Sequence, residues 1–197
     1  MSESPIAITD SLSTYFRGVV VDAIKSKNVD ASPAARTYVV ELLAAFAKPD
    51  EAVGSALSQP VTFLLRDAMQ AHGSDRFKRL QNLGDGVLYA VGFFGESLDN
   101  AEKKYFVYVG SSAYGHAADM LGRGAGGPSV LGELAHGFDA FAGVLTEVSD
   151  WVMAQSARGE QGIVKLYERW LKRSSPALAS GLAERGIVPT RRTRGDA

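Results

Sequence analysis

One segment of this chain is apolar on more than one side, and it constrains the fold more than any other feature. Between Ser74 and Leu98, large apolar side chains recur at steps of three and four residues, the spacing of one helix face. They are Phe77, Leu80, Leu83, Val87, Leu88, Val91 and Phe94. The adjoining face carries small and aromatic residues, Gly86, Ala90 and Phe93. A helix that is apolar on two faces needs several neighbours to cover it, so this segment is predicted to be the central helix of a bundle.

The other periodic segments also have helical spacing, and several begin with a helix start signal. Ser32-Pro33 and Ser175-Pro176 each combine an N-cap residue with proline at the first helical position. Helices are predicted over residues 11–27, 33–48, 50–57, 60–72, 74–98, 105–121, 129–155, 163–173 and 176–186. The predicted fold class is therefore all-α, a multi-helix bundle of about seven to nine helices around a buried central helix.

Residues 105–109, with the sequence YFVYV, leave two interpretations open. Their aromatic and β-branched side chains are typical of a strand. However, helical spacing continues from Tyr105 as far as Leu121, and a single strand in a helical chain would have no pairing partner. The spacing therefore favours a helix here, with a strand as the alternative.

The Gly-rich run GRGAGGP, residues 122–128, is the clearest break in the sequence. It separates an N-terminal helical bundle, residues 1–121, from C-terminal helices over residues 129–186. A chain of 197 residues suits one domain, so both sections are expected to pack on the same core. Residues 187–197 are predicted to be a disordered basic tail.

The composition excludes several classes of protein. The chain has no cysteine, which excludes disulfides and thiolate metal sites and fits a reducing compartment. A net charge of -1 gives no long-range attraction to nucleic acid or acidic membranes. No apolar run approaches the roughly 18 residues of a membrane span, and the first residues do not resemble a secretory signal. We expect a cytoplasmic protein without membrane insertion, whose contact with nucleic acid is limited to a weak one through Arg191, Arg192 and Arg194.

Pairs of histidine and carboxylate are the candidates for metal or acid–base chemistry. Glu133 and His136 have the Glu-x-x-His spacing of helical di-iron sites, but such sites need a second pair that this sequence lacks. His116 with Asp119 and His136 with Asp139 are also three residues apart, a spacing that arises by chance on most helices. We therefore predict no metal site, no cofactor and no catalytic residue.

Aromatic residues concentrated in the middle of the chain provide a candidate ligand pocket. The residues assigned to it are Tyr89, Phe93, Tyr108 and His116, although aromatic side chains at helical spacing also fill ordinary cores. The missing catalytic set favours a non-enzymatic regulatory or interaction module that binds another protein or self-associates. The alternative is a small-molecule-binding protein, or an enzyme, with its site between helices near this aromatic segment.

Two neighbouring stretches resemble a known family. LGDGVLYAVGFF, Leu83 to Phe94, is followed by YFVYVGSSAYGHAA, Tyr105 to Ala118. A Leu-Gly-Asp…Gly-Phe-Phe run followed by Gly-x-x-Ala-Tyr resembles an uncharacterised bacterial family of helical proteins of unknown function. The resemblance implies a bacterial origin and a shared core in this region, and it implies no activity.

Overall fold

The computed structural model describes residues 5–47, 59–122 and 129–190. These residues form nine α-helices and no β-strand, which confirms the all-α prediction. The helices are α1 (Pro5–Lys27), α2 (Pro33–Phe46), α3 (Val61–Gln70), α4 (Gly73–Phe94), α5 (Asn100–Met120), α6 (Val130–His136), α7 (Phe138–Ser156), α8 (Gly159–Arg173) and α9 (Pro176–Ala183). None of them combines the length and the apolar character that crossing a membrane requires.

Three predictions concern residues that the structure does not describe. They are the short helix at 50–57, the Gly-rich loop from residue 123 onward, and the basic tail from residue 191 onward. The described helices divide into two compact units, one reaching Thr146 and the other starting at Glu147, so α7 contributes to both.

Helix α4 is the central helix of the N-terminal unit, where it contacts α2, α3 and α5. Its buried residues are Leu80, Leu83, Gly84, Gly86, Val87, Leu88, Ala90, Val91 and Gly92. The contact with α5 is close because α4 has glycine where the helices meet. A Cβ atom at Gly84 would lie 2.5 Å from the ring of Tyr114, so a larger residue at this position would push the two helices apart.

Residues 105–109 lie within α5, which settles the choice between helix and strand. The helix begins with a capping box, in which Asp99 Oδ1 accepts hydrogen bonds from the Ala101 and Glu102 amides, both at 2.8 Å. Glu102 Oε2 in return accepts a hydrogen bond from the Asp99 amide at 2.9 Å. This start signal fixes helical backbone just before the β-favouring residues, and Val109 at their end is buried in the bundle as part of α5.

Several helix boundaries differ from those predicted. Helices α1, α5 and α8 begin earlier than expected, at Pro5, Asn100 and Gly159. Helix α4 begins at Gly73, with His72 rather than Ser74 as the N-cap, and it ends at Phe94. The single helix predicted over residues 129–155 is wrong, because Gly137 separates α6 from α7 with φ −96° and ψ 22°. Glycine has the weakest helix propensity after proline, so the backbone departs from helical geometry there at little cost.

The C-terminal unit has an apolar cluster of its own and a buried ion-pair network beside it. The cluster consists of Ala154, Ala157, Leu166, Trp170, Leu178 and Leu182. In the network, Asp150 on α7 is fully buried and accepts hydrogen bonds from Arg169 Nε at 2.6 Å and Arg173 Nε at 3.0 Å. A buried carboxylate is tolerated when paired in this way, and the pairing fixes α8 against the second half of α7.

Replacing Leu88 with alanine tests the central position of α4. Leu88 is 0% exposed, and the cavity left by truncation should lower the free energy of unfolding by about 2–5 kcal/mol. Urea unfolding of the two proteins measures this difference. As a control, Leu121→Ala removes the same atoms from a side chain that is 56% exposed, and its effect should stay within about 0.5 kcal/mol. Equal effects for the two variants would place α4 at the surface.

Candidate functional site

A carboxylate in the N-terminal unit accepts hydrogen bonds from two phenols. The Tyr38 and Tyr114 hydroxyls each donate to Asp85 Oδ1, both at 2.7 Å. The side chain of Gln81 donates from Nε2 to the Tyr38 hydroxyl at 2.9 Å. We call these four residues the tyrosine–aspartate cluster. Three helices supply it, because Tyr38 lies on α2, Gln81 and Asp85 on α4, and Tyr114 on α5.

The fold positions each member of this cluster through close packing. Gly84 leaves space for the Tyr114 ring. The Tyr114 hydroxyl can therefore reach the carboxylate of Asp85, the residue that follows Gly84 on α4. Tyr114 is completely buried, and its ring meets that of Tyr38 edge to face, with the centroids 6.4 Å apart. On its other side, Tyr114 packs against Phe138 at 5.9 Å. The hydroxyl of Tyr114 therefore has little freedom to leave the carboxylate.

Burial controls the protonation of the tyrosine–aspartate cluster. Desolvation raises the pKa of Asp85 from 3.8 to about 6, although the two phenol hydrogen bonds act in the opposite direction. Burial and the neighbouring carboxylate raise the pKa of Tyr38 and of Tyr114 well above the usual value. Both phenols therefore stay protonated at neutral pH and act as hydrogen-bond donors, whereas Asp85 can change its charge.

Four aromatic rings next to this cluster form what we call the aromatic face: Phe46, Tyr89, Phe93 and Phe94. Tyr89 stacks between Phe46, with the centroids 4.7 Å apart, and Phe93, at 4.4 Å. The Phe94 ring meets Tyr89 edge to face at 6.0 Å, and its side chain is 53% exposed. Phe46, Tyr89 and Phe93 are half-buried. The rings are stacked on one another, and Phe94 is the most exposed of the four.

The aromatic face and the tyrosine–aspartate cluster adjoin along α4. Asp85, Tyr89 and Phe93 follow one another at steps of four residues, which places their side chains next to one another on one helix face. On α2, Tyr38 contacts the polar part of this surface and Phe46 the aromatic part. The two helices together therefore present a carboxylate beside a row of aromatic rings.

The residues predicted to line a pocket occupy different places. Tyr89 and Phe93 stack together in the aromatic face. Tyr108 is 66% exposed and lines a separate cleft of about 530 Å³ with Lys103, Lys104 and Asp139. His116 is half-buried on α5. Within the described ranges, neither Tyr108 nor His116 is among the ring contacts of Tyr89 and Phe93.

Glu133 holds the N-terminus of α2. Its Oε1 accepts a hydrogen bond from the Ser32 amide at 2.7 Å, and its Oε2 accepts one from the Ser32 hydroxyl at 2.6 Å. Ser32 Oγ also caps α2 by accepting a bond from the Ala35 amide. Glu133 and His136 line an open cleft of about 660 Å³. Among the described residues, no three His, Asp or Glu side chains are grouped as a metal ion would require.

Sequence analysis did not identify Asp85 or Tyr38 as site residues. One signal was available, because Asp85 is an ionisable residue in the otherwise apolar stretch from Leu83 to Phe94. A second was the Leu-Gly-Asp and Gly-x-x-Ala-Tyr runs, which the fold brings together: Gly84 touches the ring of Tyr114, and Asp85 accepts its hydroxyl. Neither signal reveals Tyr38, whose position opposite Asp85 depends on how α2 packs against α4.

The raised pKa of Asp85 predicts a specific dependence of stability on pH. Between pH 3.8 and about 6 the unfolded chain releases the Asp85 proton while the folded chain keeps it. The stability that the neutral carboxyl contributes is therefore complete below this window, and about 3 kcal/mol of it is lost as the pH rises through the window. Urea unfolding across this range should show that Asp85→Asn matches the wild type near the acid end and is the more stable protein at neutral pH.

The control for this effect is Asp75→Asn, which neutralises an exposed carboxylate on the same helix, paired with Arg79. It should leave the pH dependence of the wild type unchanged. If Asp85→Asn is instead the less stable protein at neutral pH, the ionised carboxylate stabilises the fold.

Removal of the Glu133 carboxylate should destabilise the N-terminal unit. Glu133→Ala leaves the Ser32 amide and hydroxyl without their acceptor, at an expected cost of about 1–3 kcal/mol in the free energy of unfolding. Glu133→Gln keeps one acceptor oxygen and should cost less. The matched control is Glu168→Ala on the exposed face of α8. Chemical denaturation of the three variants gives the ranking, and a neutral Glu133→Ala would show that the contact adds nothing to stability.

Comparisons with known proteins assign no family to this geometry. No protein-family model matches the chain, no curated protein matches it, and no solved structure matches it. The resemblance of the segments at 83–94 and 105–118 to an uncharacterised bacterial family therefore stays a prediction. Any function has to follow from the side chains of this chain alone.

Proposed function

We propose that the N-terminal unit is a non-enzymatic binding module that docks another protein on the aromatic face. The observation that carries the proposal is the stack of Phe46, Tyr89 and Phe93, which ends in a Phe94 ring that is 53% exposed. Single exposed apolar residues are common on protein surfaces, but contiguous aromatic groups mark interaction sites. The cysteine-free sequence suits a reducing compartment, and a cytoplasmic location is part of the proposal.

The energetics of protein interfaces support this role. Aromatic residues are enriched at the centres of interfaces, where a few anchors provide most of the binding free energy. Tyr89 is held between Phe46 and Phe93 before any partner arrives. Little side-chain entropy would therefore be lost on binding, which favours affinity.

The protonation of the neighbouring cluster favours binding over catalysis. The phenols of Tyr38 and Tyr114 both donate to Asp85, and their pKa values are raised. A protonated phenol that is already hydrogen-bonded is a poor nucleophile and a poor base. These groups are suited to fixing the carboxylate in one orientation.

Selection of short linear peptides from a phage-displayed library tests the proposal. We expect peptides with aromatic or large aliphatic anchors to be enriched on the wild-type protein. Their affinity should fall about tenfold or more for Phe94→Ala, because truncation of an interface anchor typically has effects of this size. Fluorescence anisotropy of the labelled peptides measures the change.

The matched control is Phe63→Ala on α3, an exposed aromatic residue outside the aromatic face whose ring lies 5.0 Å from the Arg66 guanidinium. Peptide affinity should not change in this variant. Equal losses in both variants, or selected peptides that ignore Phe94, would contradict the proposal. Concentration-dependent dimerisation that Phe94→Ala abolishes would instead identify a second copy of this chain as the occupant.

A further inference from the structure

Among the described residues, only one of the two oxygens of the Asp85 carboxylate accepts hydrogen bonds from the protein. Both phenols donate to the same oxygen, Oδ1. No donor from the described residues reaches Oδ2, and within these residues the side-chain hydrogen bonds to Asp85 come from Tyr38 and Tyr114 alone. A carboxylate has about four acceptor positions. The second oxygen is therefore available to a donor from outside the chain.

No charged group of the described chain neutralises this carboxylate. The titratable group that faces Asp85 from α2 is Tyr38, and the one from α5 is Tyr114, both neutral donors. On α4 itself the neighbour is the uncharged Gln81, and α3, which also packs against α4, contributes no titratable group that interacts with Asp85. Partly buried charges are usually paired. The Asp85 carboxylate, which lies beside the aromatic face, is therefore suited to pairing with a cation from a binding partner.

We infer that the partner presents a basic group to Asp85 while an aromatic or large aliphatic group packs on Tyr89 and Phe93. This inference rests on the proposed function and names the chemistry of its partner: a protein segment in which lysine or arginine accompanies a large apolar side chain. The spacing suits it, because side chains four residues apart on a helix have Cβ atoms about 5–6 Å apart.

Two small probes separate the contribution of the charge from that of the ring. Phenethylamine carries a phenyl ring and an ammonium group two carbons apart, and 2-phenylethanol is its uncharged counterpart. In NMR titrations of the full chain at about pH 7.5, both probes should shift the resonances of Tyr89 and Phe93. Phenethylamine should bind about five to ten times more tightly, as expected of one charge-assisted hydrogen bond.

The preference for phenethylamine should depend on Asp85 and on its ionisation. Asp85→Asn keeps an oxygen that can accept the two phenol hydrogen bonds, and it should reduce the affinity ratio of the two probes to about one. Asp75→Asn, the exposed carboxylate on the same helix, should leave the ratio unchanged. In the wild type the ratio should also fall between about pH 7.5 and about pH 5, since the pKa of Asp85 is about 6. This pH series is measured on the wild-type protein and needs no variant.

The outcomes distinguish this inference from the proposed function. Equal affinity of the two probes at Tyr89 and Phe93, unchanged by pH or by Asp85→Asn, would overturn the basic-group inference and leave the aromatic docking surface in place. No shift of these resonances with either probe, together with peptides that ignore Phe94, would overturn both. A preference for phenethylamine that Asp75→Asn removes would assign the charge effect to another carboxylate and also refute the inference.

Discussion

The hydrogen bonds from Tyr38 and Tyr114 to Asp85 join three helices of the N-terminal unit at one oxygen atom. Tyr114 is completely buried, so its hydroxyl needs an acceptor inside the protein. The acceptor has to come from α4, and α5 can approach it only because residue 84 is glycine. This polar contact therefore joins α2, α4 and α5 at one point, and it leaves the aromatic face beside a carboxylate.

The central helix could be predicted because its signal is local. Leu80, Val87 and Leu88 repeat at helical spacing and are all buried in α4. The N-cap at Ser32 was likewise readable from the residue types alone. By contrast, the break at Gly137 depends on whether tertiary packing compensates a weak helix former, and in this case the helix is interrupted. Periodicity carries no information about that balance.

Only part of the candidate site could be predicted from the sequence, because periodicity describes one helix and carries no information about how helices pack. Tyr89 and Phe93 are one helical turn apart, so their stacking follows from spacing on a single helix. Tyr108 belongs to another helix, and its distance from them depends on the rotation of α5 about its axis, which nearness in the sequence does not determine. Asp85 could not be predicted as a site residue because an isolated carboxylate forms no motif, and its raised pKa arises from burial, which depends on the packing of other helices.

The contact between Ser32 and Glu133 also bears on the order in which the chain folds. It joins residues 101 positions apart, and Glu133 belongs to α6, which has only seven residues. A helix this short is not stable by itself in water, and closing so long a loop is slow compared with local helix formation. Helix α6 therefore depends on its packing against α5 and α2 for its stability, and the cleft beside His136 exists only where these helices have come together.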